Sequence, residues 1–296
     1  MEDNRKNRED VRRRKREKAA RFLKTLFGRK IVLVSAWIVA FFVVVAVFAA
    51  WLAPYDPYTL NYMDTLKAPS LAHWLGTDNY GRDLLTRIIY GARISLAIGV
   101  LGVMIACAIG TFLGMLAAYF GGIVDVLIMR GCEAVRSVPQ VVFAMAFLAV
   151  FGGGFWNLAI VLGVSNVPGY TRMMRAQTLR IKNADYIVAG RLQGNKTLRL
   201  MYKHIFPNCI SPVIVMMTQQ VGSTILAEAG LSFLGVGISI PMASWGCMVS
   251  DGKAYLLSAP MFALAPGLCV AALVIALNIL GDGVRDALDP RLRGEV

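Results

Sequence analysis

The chain is built from long apolar runs with few or no charged interruptions. Residues 31–52 form the first, and 94–120, 124–151, 156–171, 205–228 and 254–280 form five more. About 20 apolar residues suffice to cross a bilayer as a helix. The residues between the runs are those that end helices: Ala53-Pro54-Tyr55-Asp56-Pro57, Gly121-Gly122 and Gly152-Gly153-Gly154. The pattern predicts an all-α membrane protein with six transmembrane helices. The first run exceeds a signal-peptide core of about 7–15 residues, and no A-x-A cleavage pattern follows it. It reads as an uncleaved first span.

Charge orients this scheme. Residues 1–30 hold 13 lysines and arginines against 5 acids, and residues 171–204 hold 8 against the single acid Asp185. Together these surpluses exceed the formal net charge of +13, so the rest of the chain is slightly acidic. Basic segments flanking apolar spans stay in the cytoplasm, which predicts both termini and the 172–207 loop inside and residues 53–93 outside. The predicted organisation is a basic tail over 1–30, a first helix over 31–52, an extracytoplasmic segment over 53–93, a five-helix core over 94–284 and a cytoplasmic tail over 285–296. Residues 236–253, with Pro241, Trp245, Gly246 and Asp251, read as an outer loop able to dip into the membrane.

Composition removes the competing classes. With 57% hydrophobic and only 17% charged residues, and a mean hydropathy of +0.58, the chain is unlike a water-soluble domain. Nucleic-acid binding does not fit basic clusters that border spans, and the N-terminal tail suits anionic lipid or a disordered state. Cys107, Cys132, Cys209, Cys247 and Cys269 are scattered, no CxxC occurs, and His73 and His204 are the only imidazoles. The cysteines read as small buried apolar residues, with no metal or cofactor expected.

Individual positions carry finer expectations. Gly102, Ala106, Gly110, Gly114 and Ala118 recur every four residues and mark a face where another helix backbone approaches closely. Arg130, Glu133 and Arg136 share one face of the third span, poised to pair with one another or to meet a subunit interface. Glu228, the only acid deep in an apolar context, lies about 35 Å up the fifth span. It either lines a path attractive to cations or hydrogen-bonds within the fold.

Catalytic patterns are lacking: there is no HExxH and no GxSxG. The segment from Gly190 to Thr197 approaches a phosphate loop, but only three residues separate Gly190 from Gly194, and Asn195 intervenes before Lys196. The chain therefore reads as a non-enzyme. Between Asp185 and Pro207 the pattern predicts two short helices around Gly194. Tyr186, Ala189 and Leu192 share a face in the first, and Leu198, Met201, Tyr202 and Ile205 share one in the second. A basic amphipathic pair of this kind lies on lipid headgroups or docks in a partner's groove.

DYIVAGRLQGNKTLRLMYKHIFPN (185–208) resembles the EAA loop of binding-protein-dependent ABC importer permeases, with Ala189, Gly194 and Pro207 on the expected positions. Val188 stands where Glu is common, and Gly190 where a second Ala is. HWLGTDNYGRDLLTRIIYGARISL (73–96) is similar to the outer signature of the dipeptide, oligopeptide and nickel permease group. Asp125, Met129, Arg130, Ser137 and Pro139 match its third-span pattern, with Glu133 where Asp is usual. LAEAGLSFLGVG (226–237), SWGCMVSDG (244–252) and GDGVRDALDPRLRG (281–294) match its closing third.

The resemblance implies a type I ABC importer permease fold in the inner (plasma) membrane of a prokaryote. Its implied partners are a homologous permease, two ATP-binding cassette ATPase subunits and an extracytoplasmic substrate-binding protein. It implies ATPase docking by Asp185, Tyr186, Ala189, Gly190, Arg191 and Gly194; Ser137, Pro139 and Glu228 are candidates for the path or its gate. Peptides are the implied cargo, with nickel chelates, glutathione and other small oligomers as alternatives. An ion-coupled secondary carrier and a membrane-bound enzyme are the rival classes. The first lacks visible inverted repeats, and the second lacks a catalytic set.

Overall fold

The computed structural model of the chain describes residues 25–288, so most of the 1–30 tail and of the 285–296 tail lies outside the described residues. Helices α1 (Lys30–Val47) and α2 (Ala49–Leu52) form the first apolar element. Trp37, Phe41 and Val44 point outward from α1, while Val32, Phe42 and Ala46 are buried. A helix apolar on every side needs a non-aqueous surround.

α3 (Leu84–Phe120) has 37 residues and is about 55 Å long at 1.5 Å per residue, well beyond the roughly 30 Å hydrocarbon core. It starts ten residues before the expected Ile94, because Arg87 and Arg93 conceal its first turns in the sequence. Asp83 caps it by accepting from the Thr86 amide at 2.8 Å. Arg87 is buried beside Asp78, whose carboxylate also accepts from Arg82 Nε at 2.6 Å. Buried charges are tolerated only when paired in this way.

The small-residue stripe is a packing seam. It faces α6 (Phe155–Ile181), and a Cβ at Gly110 would sit 2.5 Å from Tyr170 Cβ and 2.8 Å from the Val167 carbonyl. α6 runs ten residues past the expected end at Thr171, carrying Arg172, Arg175 and Arg180 in helical form. Arg175 reaches Asp125 through two hydrogen bonds of 2.6 Å, the fork geometry that suits a carboxylate. Lys182 donates to the Ala118 carbonyl near the end of α3 at 3.0 Å.

The expected single third span is two helices, α4 (Gly122–Arg136) and α5 (Gln140–Phe151), meeting at 86°. Pro139 has no amide hydrogen to continue the ladder and disfavours helical geometry in the residue before it. Ser137 donates its hydroxyl to the Ala134 carbonyl at 2.7 Å, occupying that acceptor beside the corner.

α7 (Asp185–Leu192) and α8 (Thr197–Leu200) follow, and a π-helical turn over Met201–Ile205 leads into α9 (Phe206–Phe233). Pro207 sits in the first turn of α9, where a missing amide hydrogen costs least. The predicted outer loop folds inward as α10 (Trp245–Gly252). Its Trp245 is fully buried, donates to the Ile88 carbonyl at 2.9 Å and meets the Phe42 ring edge-on. α11 (Met261–Leu288) closes the bundle against α9 and α1.

Among the described residues, four helical elements, α1, α3, α8–α9 and α11, are long and apolar enough to cross a membrane, and the bent α4–α5 pair makes five if it counts as one span. α6 falls outside that set, since it carries Asn157, Asn166 and three arginines, yet Leu158, Leu162 and Tyr170 place it at the centre of the core.

Candidate functional site

Two features stand out: a helix pair projecting from the basic end, and a polar cavity at mid-bundle. In α7, Ile187 and Gly190 face inward, and Asp185, Tyr186, Ala189, Arg191 and Leu192 are exposed. The predicted Tyr186–Ala189–Leu192 face therefore exists and is free. Gly190 stands behind it, where a Cβ would meet Leu200 Cδ2 at 2.8 Å and where its carbonyl accepts from the Asn195 side chain at 3.0 Å.

Arg191 places its guanidinium over the Tyr119 ring at 4.7 Å, which ties the pair to α3. Gly194 has φ +75° with open space around it. It makes the left-handed turn, a conformation that residues with a Cβ resist, and no neighbour approaches it closely.

The second helix departs from expectation. Leu198, Met201, Tyr202 and Ile205 do not share one face: Met201 and Ile205 are buried, whereas Leu198 and Tyr202 are 59% and 61% exposed. The π turn explains the split, because its wider i→i+5 winding shifts the register on which an α-helical reading depends. The outcome is an apolar and aromatic surface of Tyr186, Val188, Leu192, Leu198 and Tyr202. Ile187, Leu200, Met201 and Ile205, all essentially sealed, anchor it in the core.

The cavity, of about 490 Å³, lies between the α4–α5 corner, the middle of α6 and the middle of α9. Pro139 lines it. Ser137 does not, being exposed and turned back on its own helix. Its polar wall consists of Gln140, Ser165, Asn166 and Gln220, with Arg136 at the rim. Gln220 donates to Asn166 Oδ1 at 3.0 Å and Gln140 to Ser165 Oγ at 3.3 Å. None of these four was singled out in the sequence. Their only signal was an uncharged polar residue standing within an apolar run.

Glu228 lies elsewhere. It is fully buried, and its two oxygens accept from Ser95 and Ser232 hydroxyls, each at 2.9 Å. Of the two readings its sequence left open, the geometry shows hydrogen bonding within the fold. Arg130 pairs with Glu133 at 3.0 Å, and Arg136 has no ion-pair partner among the described residues.

Outside the spans, the Lys67 ammonium hydrogen-bonded to Asp64 holds that carboxyl below its ordinary range. Burial pushes the Cys247 thiol up to about 11, aided by the Asp251 carboxylate. All five cysteines are unpaired.

Comparison with known proteins places this architecture. Residues 110–294 match the model of the family described as binding-protein-dependent transport system inner membrane component. Residues 19–69 match the N-terminal TM domain of oligopeptide transport permease C.

The dipeptide transport system permease protein DppC of Alkalihalophilus pseudofirmus is 38% identical over 270 residues, covering 91% of this chain and 89% of the relative. The glutathione transport system permease protein GsiD of Escherichia coli O157:H7 is 41% identical over 261 residues, covering 88% and 86%. Among solved structures, the inward-facing MetNI methionine ABC transporter superposes with a TM-score of 0.55 at 18% identity, over 69% of this chain and 97% of that one. That likeness establishes a type I ABC importer permease fold. The chain belongs to the inner membrane components of binding-protein-dependent transport systems, within the dipeptide and oligopeptide permease group.

Proposed function

We propose that this chain is the non-catalytic membrane subunit of an ATP-driven importer of di- or oligopeptides, forming half of the translocation path. Its α7–α8 pair docks in a groove of a separate ATPase. The observation that carries this reading is the exposed surface of Tyr186, Leu192, Leu198 and Tyr202 on a mount whose own side chains are buried. Lipid alone does not call for so rigid a mount, whereas a lever must be rigid to pass a partner's movement into α9. The basic residues of α6 and the loop favour a cytoplasmic position for this end, which with six spans would set both termini inside.

The remaining partners are a homologous permease, which completes the path, and an extracytoplasmic binding protein, which delivers cargo to the opposite face. ATP closes the ATPase dimer, and the lever converts that closure into a shift between two packings of the bundle. The cavity is the part of the path that this chain walls. Di- and oligopeptides, glutathione among them, suit its largely amide lining.

The test is purification of the complex from its host in mild detergent, followed by ATP-dependent peptide uptake in reconstituted vesicles. An ATPase and a second permease are expected to co-purify. A chain that purifies alone and moves solute without ATP would refute the importer reading.

Gly194 offers a finer check. Its left-handed turn disfavours a β-branched side chain by about 1–2 kcal/mol, with no steric clash to add. Gly194→Val is expected to lower uptake per ATP hydrolysed while the permease stays folded, and Gly194→Asn to stay near wild type. Equal uptake by the two variants would show that the turn has no part in coupling.

A further inference from the structure

The cavity has a chemical bias that goes beyond a generic path. Every polar group on its wall is neutral except one, and that one is a cation. Gln140, Ser165, Asn166 and Gln220 present carboxamides and a hydroxyl, Arg136 presents a guanidinium, and no acidic side chain lines the space. The acid one turn back on the same helix, Glu133, is engaged by Arg130 at 3.0 Å. Arg136 thus faces the cavity rim exposed and without a counter-ion among the described residues.

We propose that this cavity is a peptide-selective transit site, in which Arg136 holds the cargo's terminal carboxylate and the carboxamides of Gln140 and Gln220 bond its amide groups. The inference rests on the importer reading above and adds to it a charge rule and named residues.

Three physical points support it. A guanidinium matches a carboxylate in a bidentate fork, and its exposure leaves the fork free. Each glutamine spends one N–H inside the wall, Gln220 on Asn166 and Gln140 on Ser165, and keeps its carbonyl oxygen to accept from a passing amide N–H. Neutral amide bonds of this kind are weak and blind to side-chain identity. A transit site needs that property, because binding must permit entry without preventing exit. The same wall disfavours a bare divalent metal ion, which would meet a cation and find no carboxylate.

The test uses the whole complex in vesicles, with a labelled tripeptide as cargo and uptake counted per ATP hydrolysed. Arg136→Gln is expected to lower that ratio at least about tenfold, since the charged fork to the carboxylate is lost. Arg136→Glu should lower it further by repelling the carboxylate, and Arg136→Lys, which keeps the charge but not the fork, should fall between Arg136→Gln and wild type. An unchanged ratio in Arg136→Gln overturns the proposal, as does equal damage in the Gln, Glu and Lys variants, which marks a structural role. If the wild-type complex moves no peptide at all, the importer reading itself fails and the transit site falls with it.

Discussion

Leu192→Glu combined with Leu198→Glu is expected to abolish peptide uptake and to strip the ATPase from the purified complex, while the permease keeps its fold. Both side chains are largely exposed, at 84% and 59%, so their replacement alters the isolated chain by no more than about 0.5 kcal/mol. In the docked state each leucine contributes about 1.5–3 kcal/mol by leaving water. A glutamate in its place forfeits that gain and adds an unpaired buried charge, which costs several kcal/mol more. Across two positions the loss corresponds to about a thousandfold or more in Kd. The measurement is co-purification of the ATPase with the variant, read beside the variant's thermal unfolding in detergent. Full co-purification by a stably folded double variant would remove this surface from the interface and leave lipid as its occupant.

The sequence exposed the helices of this molecule better than their joints. The spans were legible because apolar runs of bilayer length have few other uses, and the four-residue spacing of Gly102 to Ala118 announced a close helix contact that α6 supplies. The 86° corner at Ser137–Pro139 was not legible, since the apolar character continues through it and one proline is compatible with a kinked helix. The last third of α6 read as loop because it is rich in arginine. What holds it to the bundle is Met174, sealed against α3 at Gly114, with Asp125, 50 residues before Arg175, gripping that guanidinium, and no local pattern reports such long-range contacts. Arg87 misled at the start of α3 in the same way, through its burial beside Asp78.

For the candidate site, legibility followed sequence distance. The α7–α8 pair proposed for docking lies within some twenty consecutive residues, and its motif could be read directly, apart from the π turn that divides Leu198 and Tyr202 from Met201 and Ile205. Glu228 drew notice as a lone deep acid, but Ser95, which binds it from 133 residues away, was an ordinary hydroxyl until the fold joined them. The cavity wall takes its four uncharged polar residues from three helices, and none of them is unusual alone. A transport path is a property of the packed bundle.

Gly114→Val is expected to cause the largest loss of folded protein of any single substitution considered. A Cβ at Gly114 would lie 2.5 Å from the Thr171 carbonyl oxygen, 2.8 Å from Met174 Cβ and 2.9 Å from the Arg175 amide nitrogen. Two of those atoms are helix backbone, which cannot swing aside as a side chain can. Overpacking of this kind costs about 1–3 kcal/mol and occasionally more.

The seam also has little else to hold it. Between helices in lipid there is no hydrophobic drive, so close packing and hydrogen bonds carry the association. Forcing α3 and α6 apart at this level would strain the Lys182–Ala118 bond, which closes the seam just beyond it, and the Arg175–Asp125 fork that ties α6 to the start of α4. Gly131→Val is the matched control: its glycine is also helical, but nothing lies within 4 Å of the added Cβ, and valine is the better helix former. Size-exclusion profiles and melting temperatures of the two variants in one detergent decide the matter. Aggregation or a sharply lowered melting temperature is expected for Gly114→Val alone. A monodisperse Gly114→Val that melts with wild type would mean that the α3–α6 seam yields, and that the small-residue stripe does not hold these helices together.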